Sequence, residues 1–172
     1  MPTFTPIPQS DFVAAIHLIA AQLVEDTDWN PDFIIGVGRG GLVPAVFLSH
    51  ATGLPTLSVD YSSQVKDFAD EPLVKLAKRT IAGERLLFLD DINDSGRTIT
   101  HLRGTLAEAG AVEGSVRFAV LIDNATSAER IDYSARVIDR TVTKDWFVFP
   151  WEAVAPAAAI AKDAAAVPER IA

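Results

Sequence analysis

The chain of 172 residues has room for one well-packed domain and little for a second, and at 49% apolar content it can build a core rather than remain disordered. A formal charge of −8 argues against a nucleic-acid partner bound through a basic face. The absence of cysteine excludes disulfides and thiolate metal sites.

In chain order, Ser10 or Asp11 is a candidate cap for a first helix, whose apolar positions Phe12, Ile16, Ile19 and Leu23 share one face. FIIGV (33–37) reads as a short buried strand, GRGG (38–41) as a turn, and LVPAVFLSHA (42–51) as a helix stopping before Gly53, with Pro44 tolerable only in its first turn. TLSVD (56–60) is a second strand. The segment 61–80 is polar, charged and weakly periodic, which predicts a long loop or flap. RLLFLD (85–90) is an all-apolar strand of the kind buried on both faces of a parallel sheet. Ser95 can cap a helix bearing Ile99, Leu102 and Leu106, with Gly110 at its stop. SVRFAVLI (115–122) is a further strand, followed by the shorter β-like pieces ARVIDRTV (135–142) and DWFVFPW (145–151). The Ala-rich tail from Ala153 reads as a short helix or a loosely held end.

No internal repeat is present, and strand–helix alternation predicts a single α/β domain with a mainly parallel sheet flanked by helices. No apolar run nears the roughly 18 residues needed to span a bilayer, and MPTFTPIPQSDF lacks the basic flank and apolar stretch of a signal peptide, so a cytoplasmic protein without integral membrane association is expected. His17, His50 and His101 are scattered, with no helical i, i+4 pair, which argues against a histidine metal site.

Two loops carry chemistry. In GVGRGG (36–41) the glycines permit close backbone approach, several N–H groups can converge on an anion, and Arg39 is the first cation of the chain. A plain tight turn is the alternative. A dinucleotide fingerprint also matches Gly36 to Gly41, but no second mononucleotide half follows. In LLFLDDINDSGRT (86–98) the carboxylates Asp90 and Asp91 can accept hydrogen bonds from vicinal sugar hydroxyls. Asp94, Ser95, Gly96, Arg97 and Thr98 then offer hydroxyls and amides at a helix N-terminus, suited to a phosphate monoester. Acids for a ribose beside amides for its 5′-phosphate describe a phosphorylated ribose. A Walker-B aspartate, a helix cap or a calcium loop fits less well, for there is no P-loop partner and no EF-hand spacing.

LLFLDDINDSGRT resembles the phosphoribosyl pyrophosphate signature of type I phosphoribosyltransferases. GVGRGGLVPA (36–45) is similar to that family's pyrophosphate loop, above all in the bacterial xanthine-guanine branch, and DWFVFPWE (145–152) is similar to that branch's hood, where a Trp stacks on the purine. The resemblance implies the type I phosphoribosyltransferase fold with a small C-terminal hood, one domain over 1–152 with the hood at 141–152, and a tail at 153–172. It implies Mg²⁺-dependent transfer of a phosphoribosyl group from phosphoribosyl pyrophosphate to a purine-like nucleobase, giving a nucleoside 5′-monophosphate and pyrophosphate. Asp94 and Arg39 would be catalytic, and Asp90 and Asp91 would hold the ribose hydroxyls, directly or through Mg²⁺ and water. Asp94 to Thr98 would cradle the 5′-phosphate, while Gly38, Arg39, Gly40 and Gly41 would bind pyrophosphate.

The same resemblance makes YSSQVKDFADEP (61–72) a closing flap, with Lys75, Lys78 and Arg79 either near the pyrophosphate or on a solvated face. One departure stands out. Where purine members of the family carry a Lys after the strand at 115–122, this chain has Asp123-Asn124-Ala125, so Asn124, with Trp146 and Phe147, is the candidate base contact. Trp146 and Trp151 have core packing as their alternative. The family implies a homo-oligomer, dimer or tetramer. The alternative function is a protein of this fold that senses phosphoribosyl pyrophosphate or a nucleotide with little or no catalysis.

Overall fold

The computed structural model describes residues 3–60 and 70–166. Its centre is a five-stranded, all-parallel sheet of β2 (Phe33–Val37), β3 (Thr56–Val59), β4 (Leu86–Asn93), β5 (Val116–Asn124) and β6 (Tyr133–Ile138), in the order β3-β2-β4-β5-β6. Helices α1 (Gln9–Glu25) and α2 (Gly38–Thr52) cover one face, and α3 (Asp70–Ile81) and α4 (Arg97–Glu108) the other. Because successive side chains of a strand point to opposite faces, each buried strand feeds two cores. Ile34, Leu87 and Leu89 join Phe12, Ile19 and Leu48 on one side, while Ile35, Leu86 and Phe88 join Leu73, Leu102 and Leu106 on the other. That is why LLFL is apolar without alternation.

Several boundaries differ from expectation for local reasons. Helix α1 starts at Gln9 after Pro8, so Ser10 and Asp11 sit in the first turn and do not cap it; the four predicted apolar positions are the ones buried. GRGG is not a separate turn but the first turn of α2, entered through Gly38 at φ +52. Pro44 therefore lies in the second turn, where it removes the N–H that would bond the Gly40 carbonyl. Gly53, at φ +75, ends α2 by donating to the Ser49 carbonyl. Gly96, not Ser95, is the N-cap of α4. That helix closes in a Schellman turn, with Gly110 N–H to Ala107 O and Ala111 N–H to Leu106 O.

The loop expected over 61–80 is overturned in its second half. Residues 70–81 form α3, which buries Leu73, Leu76, Ala77 and Thr80. Their i, i+3, i+4, i+7 spacing is a helical face, set among the charges of DEPLVKLAKRT (70–80). Residues 61–69 of the expected flap lie outside the described residues.

A strand with no clear sequence signal, β1 (Phe4–Pro6), pairs in parallel with β7 (Trp146–Val148), and Thr5 Oγ1 donates to Asp145 Oδ2 at 2.7 Å. The N-terminal strand thus straps the segment 145–149 against the body. A 3₁₀ turn at Pro150–Glu152 follows, and the tail forms α5 (Ala157–Ala165). Among the described residues no helix is long and apolar enough to cross a membrane.

Candidate functional site

Strands β2 and β3 lead to one edge of the sheet and β4, β5 and β6 to the other, so the chain direction switches between β2 and β4. The crevice beyond the carboxyl ends of such a pair is where ligands gather in open α/β sheets. The helices that leave these strands, α2 and α4, both start there without a short side-chain cap; Ser95 Oγ makes only a long 3.5 Å contact to the Arg97 N–H. Their N-terminal amides form the positive ends of two helix dipoles.

Strand β4 does not stop at its acids, as expected, but runs on to Asn93, because β5 extends beside it with Asp90 opposite Val120 and Asn93 opposite Asp123. The two carboxylates therefore leave opposite faces of the sheet. Asp91 points towards α2, so close to Gly40 that a Cβ added to that glycine would stand 2.6 Å from Asp91 Cγ. Gly41 lies against the strand itself, where a Cβ would stand 3.1 Å from the Leu89 carbonyl carbon and 3.2 Å from Asp90 Cα. Gly41 is required by the approach of α2 to the backbone of β4, whereas at Gly40 the close neighbour is the Asp91 side chain alone. Asp90 Oδ1 accepts the Asp91 N–H at 2.9 Å.

An open cleft of about 380 Å³ is lined by Asp91, Ile92, Asp94, Arg140, Trp146, Phe147, Phe149 and Glu152. It brings together four of the predicted residues, namely Asp91, Asp94, Trp146 and Phe147. The loop Ser95 to Thr98 leads away from Asp94 into α4. Asp90 and Arg39 are not in the lining. The Arg39 side chain is 90% exposed and stands 3.7 Å from Asp163 of α5. Trp151 packs in the body, stacked on Phe149 at 4.8 Å and edge-on to Phe12 at 5.3 Å, which is the structural alternative for that residue.

Asn124 is not in the lining of the cleft. It is 6% exposed, and its Oδ1 accepts the N–H groups of Thr126 and Arg140 and the Thr126 hydroxyl, while Nδ2 donates to the Asp94 carbonyl at 2.8 Å. The amide ties two loops together. Asp123 likewise accepts from Asn93 Nδ2 at 2.8 Å. Arg79 pairs with Glu84 and lies over the Phe33 ring at the start of β2, away from the strands' carboxyl ends; Lys75 pairs with Glu71 on the surface, and Lys78 is exposed.

Four lining residues were not singled out in the sequence: Ile92, Arg140, Phe149 and Glu152. Arg140 is 8% exposed and forks onto Asp94, with Nε to Oδ1 at 2.9 Å and Nη2 to Oδ2 at 3.0 Å. Nothing local in IDRT marks that arginine as buried. Glu152 accepts the Phe149 N–H at 2.8 Å. Burial pushes its carboxyl up, against the pull of that N–H and of Arg39, with Asp163 adding to the rise. The Arg39 charge is thus felt at Glu152.

A family model described as the phosphoribosyl transferase domain matches residues 8–156. The chain is 30% identical over 126 residues to a xanthine-guanine phosphoribosyltransferase of Idiomarina loihiensis, an alignment covering 69% of this chain and 70% of the relative. The crystal structure of a purine phosphoribosyltransferase from Pyrococcus horikoshii Ot3 superposes with a TM-score of 0.65 at 30% identity, covering 87% of this chain and 94% of that one. A hypothetical protein from Neisseria gonorrhoeae with bound ppGpp has the same fold, with a TM-score of 0.68 at 21% identity over 96% of this chain and 98% of the other.

Proposed function

The chain belongs to the phosphoribosyl transferase domain family, and from that premise we propose that it moves a phosphoribosyl group from phosphoribosyl pyrophosphate to a purine-class base. One observation carries the site assignment. A single cleft at the switch point joins carboxylates from the β4 end, Asp91 and Asp94, to the aromatic wall of Trp146 and Phe147. Acids suit the sugar hydroxyls, and an aromatic face suits a planar base.

In this reading Asp90 and Asp91 hold the ribose hydroxyls, and the amides and hydroxyls of Asp94 to Thr98 at the start of α4 take the 5′-phosphate. The first turn of α2, Gly38 to Gly41, takes the pyrophosphate with the exposed guanidinium of Arg39. Trp146 receives the base, with Phe147, a buried core residue that also lines the cleft, behind it. The C1–O bond breaks with its electron pair leaving on pyrophosphate, a base nitrogen forms the new bond to C1, and the proton of that nitrogen passes to Asp94 or to water. As positive charge grows on the ribose ring, the carboxylates beside it oppose that charge, while Arg39 and the α2 amides stabilise the leaving group.

Carboxylate oxygens are the donors that magnesium prefers, and no cluster of three or more such groups converges among the described residues. Asp90 and Asp91 would hold Mg²⁺, directly or through water. The bound ion would neutralise charge on the pyrophosphate. We assign this work to residues 1–152, with 153–172 as an appended tail. Exposed Leu42, Val46 and Phe47 on the outer face of α2 support a homo-oligomer, which sedimentation would test. Incubating the protein with phosphoribosyl pyrophosphate, Mg²⁺ and each purine base tests the reaction: nucleotide and pyrophosphate should appear in equal amounts, and pyrophosphate without nucleotide would refute transfer.

A further inference from the structure

We propose, on the footing of the transfer reaction above, that Arg140 is a positioning residue: together with Asn124 it clamps Asp94 at both ends and ties it to the segment bearing Trp146. The side chains of both members of the Arg140–Asp94 pair are nearly out of solvent, at 9% and 4% exposure. Buried charges are costly unless paired and hydrogen-bonded, and this pair is both. The fork of Nε and Nη2 fixes the plane of the Asp94 carboxylate as well as its place.

Arg140 reaches further with Nη1, which donates to the carbonyls of Asp145 at 2.7 Å and Thr143 at 3.2 Å, and its guanidinium carbon lies 5.4 Å from the centre of the Phe147 ring. Its own N–H donates to Asn124 Oδ1 at 3.1 Å, and Asn124 Nδ2 donates to the Asp94 carbonyl. The bonds close a ring: Asp94 main chain, Asn124, Arg140, Asp94 side chain. Trp146 follows directly on the carbonyl that Nη1 holds. A base laid against Trp146 is thereby registered to the carboxylate through one rigid, planar group. A carboxylate has about four lone-pair directions, so the fork does not exhaust what Asp94 can accept.

Lysine carries the same charge, but as a point without a fork, so it can neutralise Asp94 without orienting it. Charge compensation and positioning are therefore separable. The test is steady-state kinetics of Arg140→Met, Arg140→Lys, Asp94→Asn and the double variant Arg140→Met with Asp94→Asn, alongside thermal melting and the unaltered protein. We expect Arg140→Met to lower kcat by on the order of a hundredfold, the cost of misplacing a reacting group by about 1 Å. The KM for phosphoribosyl pyrophosphate should stay within about twofold. Arg140→Lys should remain at least about tenfold slow, because orientation is not restored. If Arg140 acts through Asp94, the double variant is no slower than the slower single one.

An unchanged kcat in a folded Arg140→Met, full recovery with Lys, or losses that multiply in the double variant would overturn the proposal. Failure of every Arg140 variant to fold would also overturn it, showing an arginine needed for stability alone. Absence of transfer by the unaltered protein would instead refute the reaction itself.

Discussion

Replacing Gly41 by alanine tests why the α2 loop is made of glycine. An added Cβ would fall inside the Leu89 carbonyl oxygen's contact radius and 3.1 and 3.2 Å from Leu89 C and Asp90 Cα. Carbon contacts are optimal at about 3.5–4.0 Å, and all three neighbours are backbone atoms of a strand paired on both sides, so none can turn aside. Helix α2 must lift from β4, at a cost near the top of the usual range for overpacking, about 3 kcal/mol. At roughly 2–4 °C per kcal/mol for a chain of this size, the melting temperature should fall by about 6–12 °C. The companion substitution Gly104→Ala puts the same methyl in open space on the exposed face of α4, where it should add about 0.5–1 kcal/mol. Two identical mutations should therefore shift thermal unfolding in opposite directions. Calorimetry that finds Gly41→Ala as stable as the unaltered protein would refute the packing argument and return the glycine to a purely ligand-directed role.

At Gly40 the neighbour is the end of the Asp91 side chain, which can rotate, so Gly40→Ala should spare most of the stability but weaken donor binding; an unchanged affinity by titration calorimetry would count against Asp91 at the ribose. Asp90→Asn with Asp91→Asn should weaken phosphoribosyl pyrophosphate binding at least about tenfold, or about 1.4 kcal/mol, and equal binding by a folded variant contradicts the assignment. Arg39→Ala should slow turnover with stability changed by no more than about 0.5 kcal/mol, since the side chain is exposed; the reverse pattern would mark a structural arginine. Burial, with Asp26 beside it, pushes the Tyr133 phenol up to about 12. The unfolded chain loses that proton near pH 10 while the folded one keeps it, so this group's contribution to stability declines as pH rises from about 10 towards 12. Ultraviolet titration of a Tyr61→Phe variant should show no phenolate step near 10.

The fold was legible because its strands declare themselves. LLFL without alternation means two covered faces, and the helices between strands show their apolar stripes at Phe12, Ile16, Ile19 and Leu23 and at Ile99, Leu102 and Leu106. The acids of the β4 end and the aromatics of 146–147 were legible as chemistry. What was not legible depends on pairing across the fold. Phe4 to Pro6 becomes a strand only because 146–148 lies beside it. The α3 helix, by contrast, does carry a helical stripe at Leu73, Leu76, Ala77 and Thr80, obscured because charged residues fill the positions between. Asn124 looked like a base contact because of where it follows β5, yet its amide is consumed by Asp94, Thr126 and Arg140. Consequently Asn124→Lys should not create a base contact; it should break this network and cost on the order of 1–3 kcal/mol. Arg140, a single cation in a polar stretch, becomes important only through Asp94, 46 residues earlier in the chain.

The central claim is tested most directly by a panel of adenine, hypoxanthine, guanine and xanthine, with pyrimidine bases as controls. Each is incubated with phosphoribosyl pyrophosphate and Mg²⁺, and nucleotide and pyrophosphate are read together. At least one purine should be converted to its 5′-monophosphate with stoichiometric pyrophosphate, and Asp94→Asn should slow this by at least about a hundredfold. Tight donor binding with no nucleotide formed from any base would contradict transfer and leave a phosphoribosyl pyrophosphate sensor in its place.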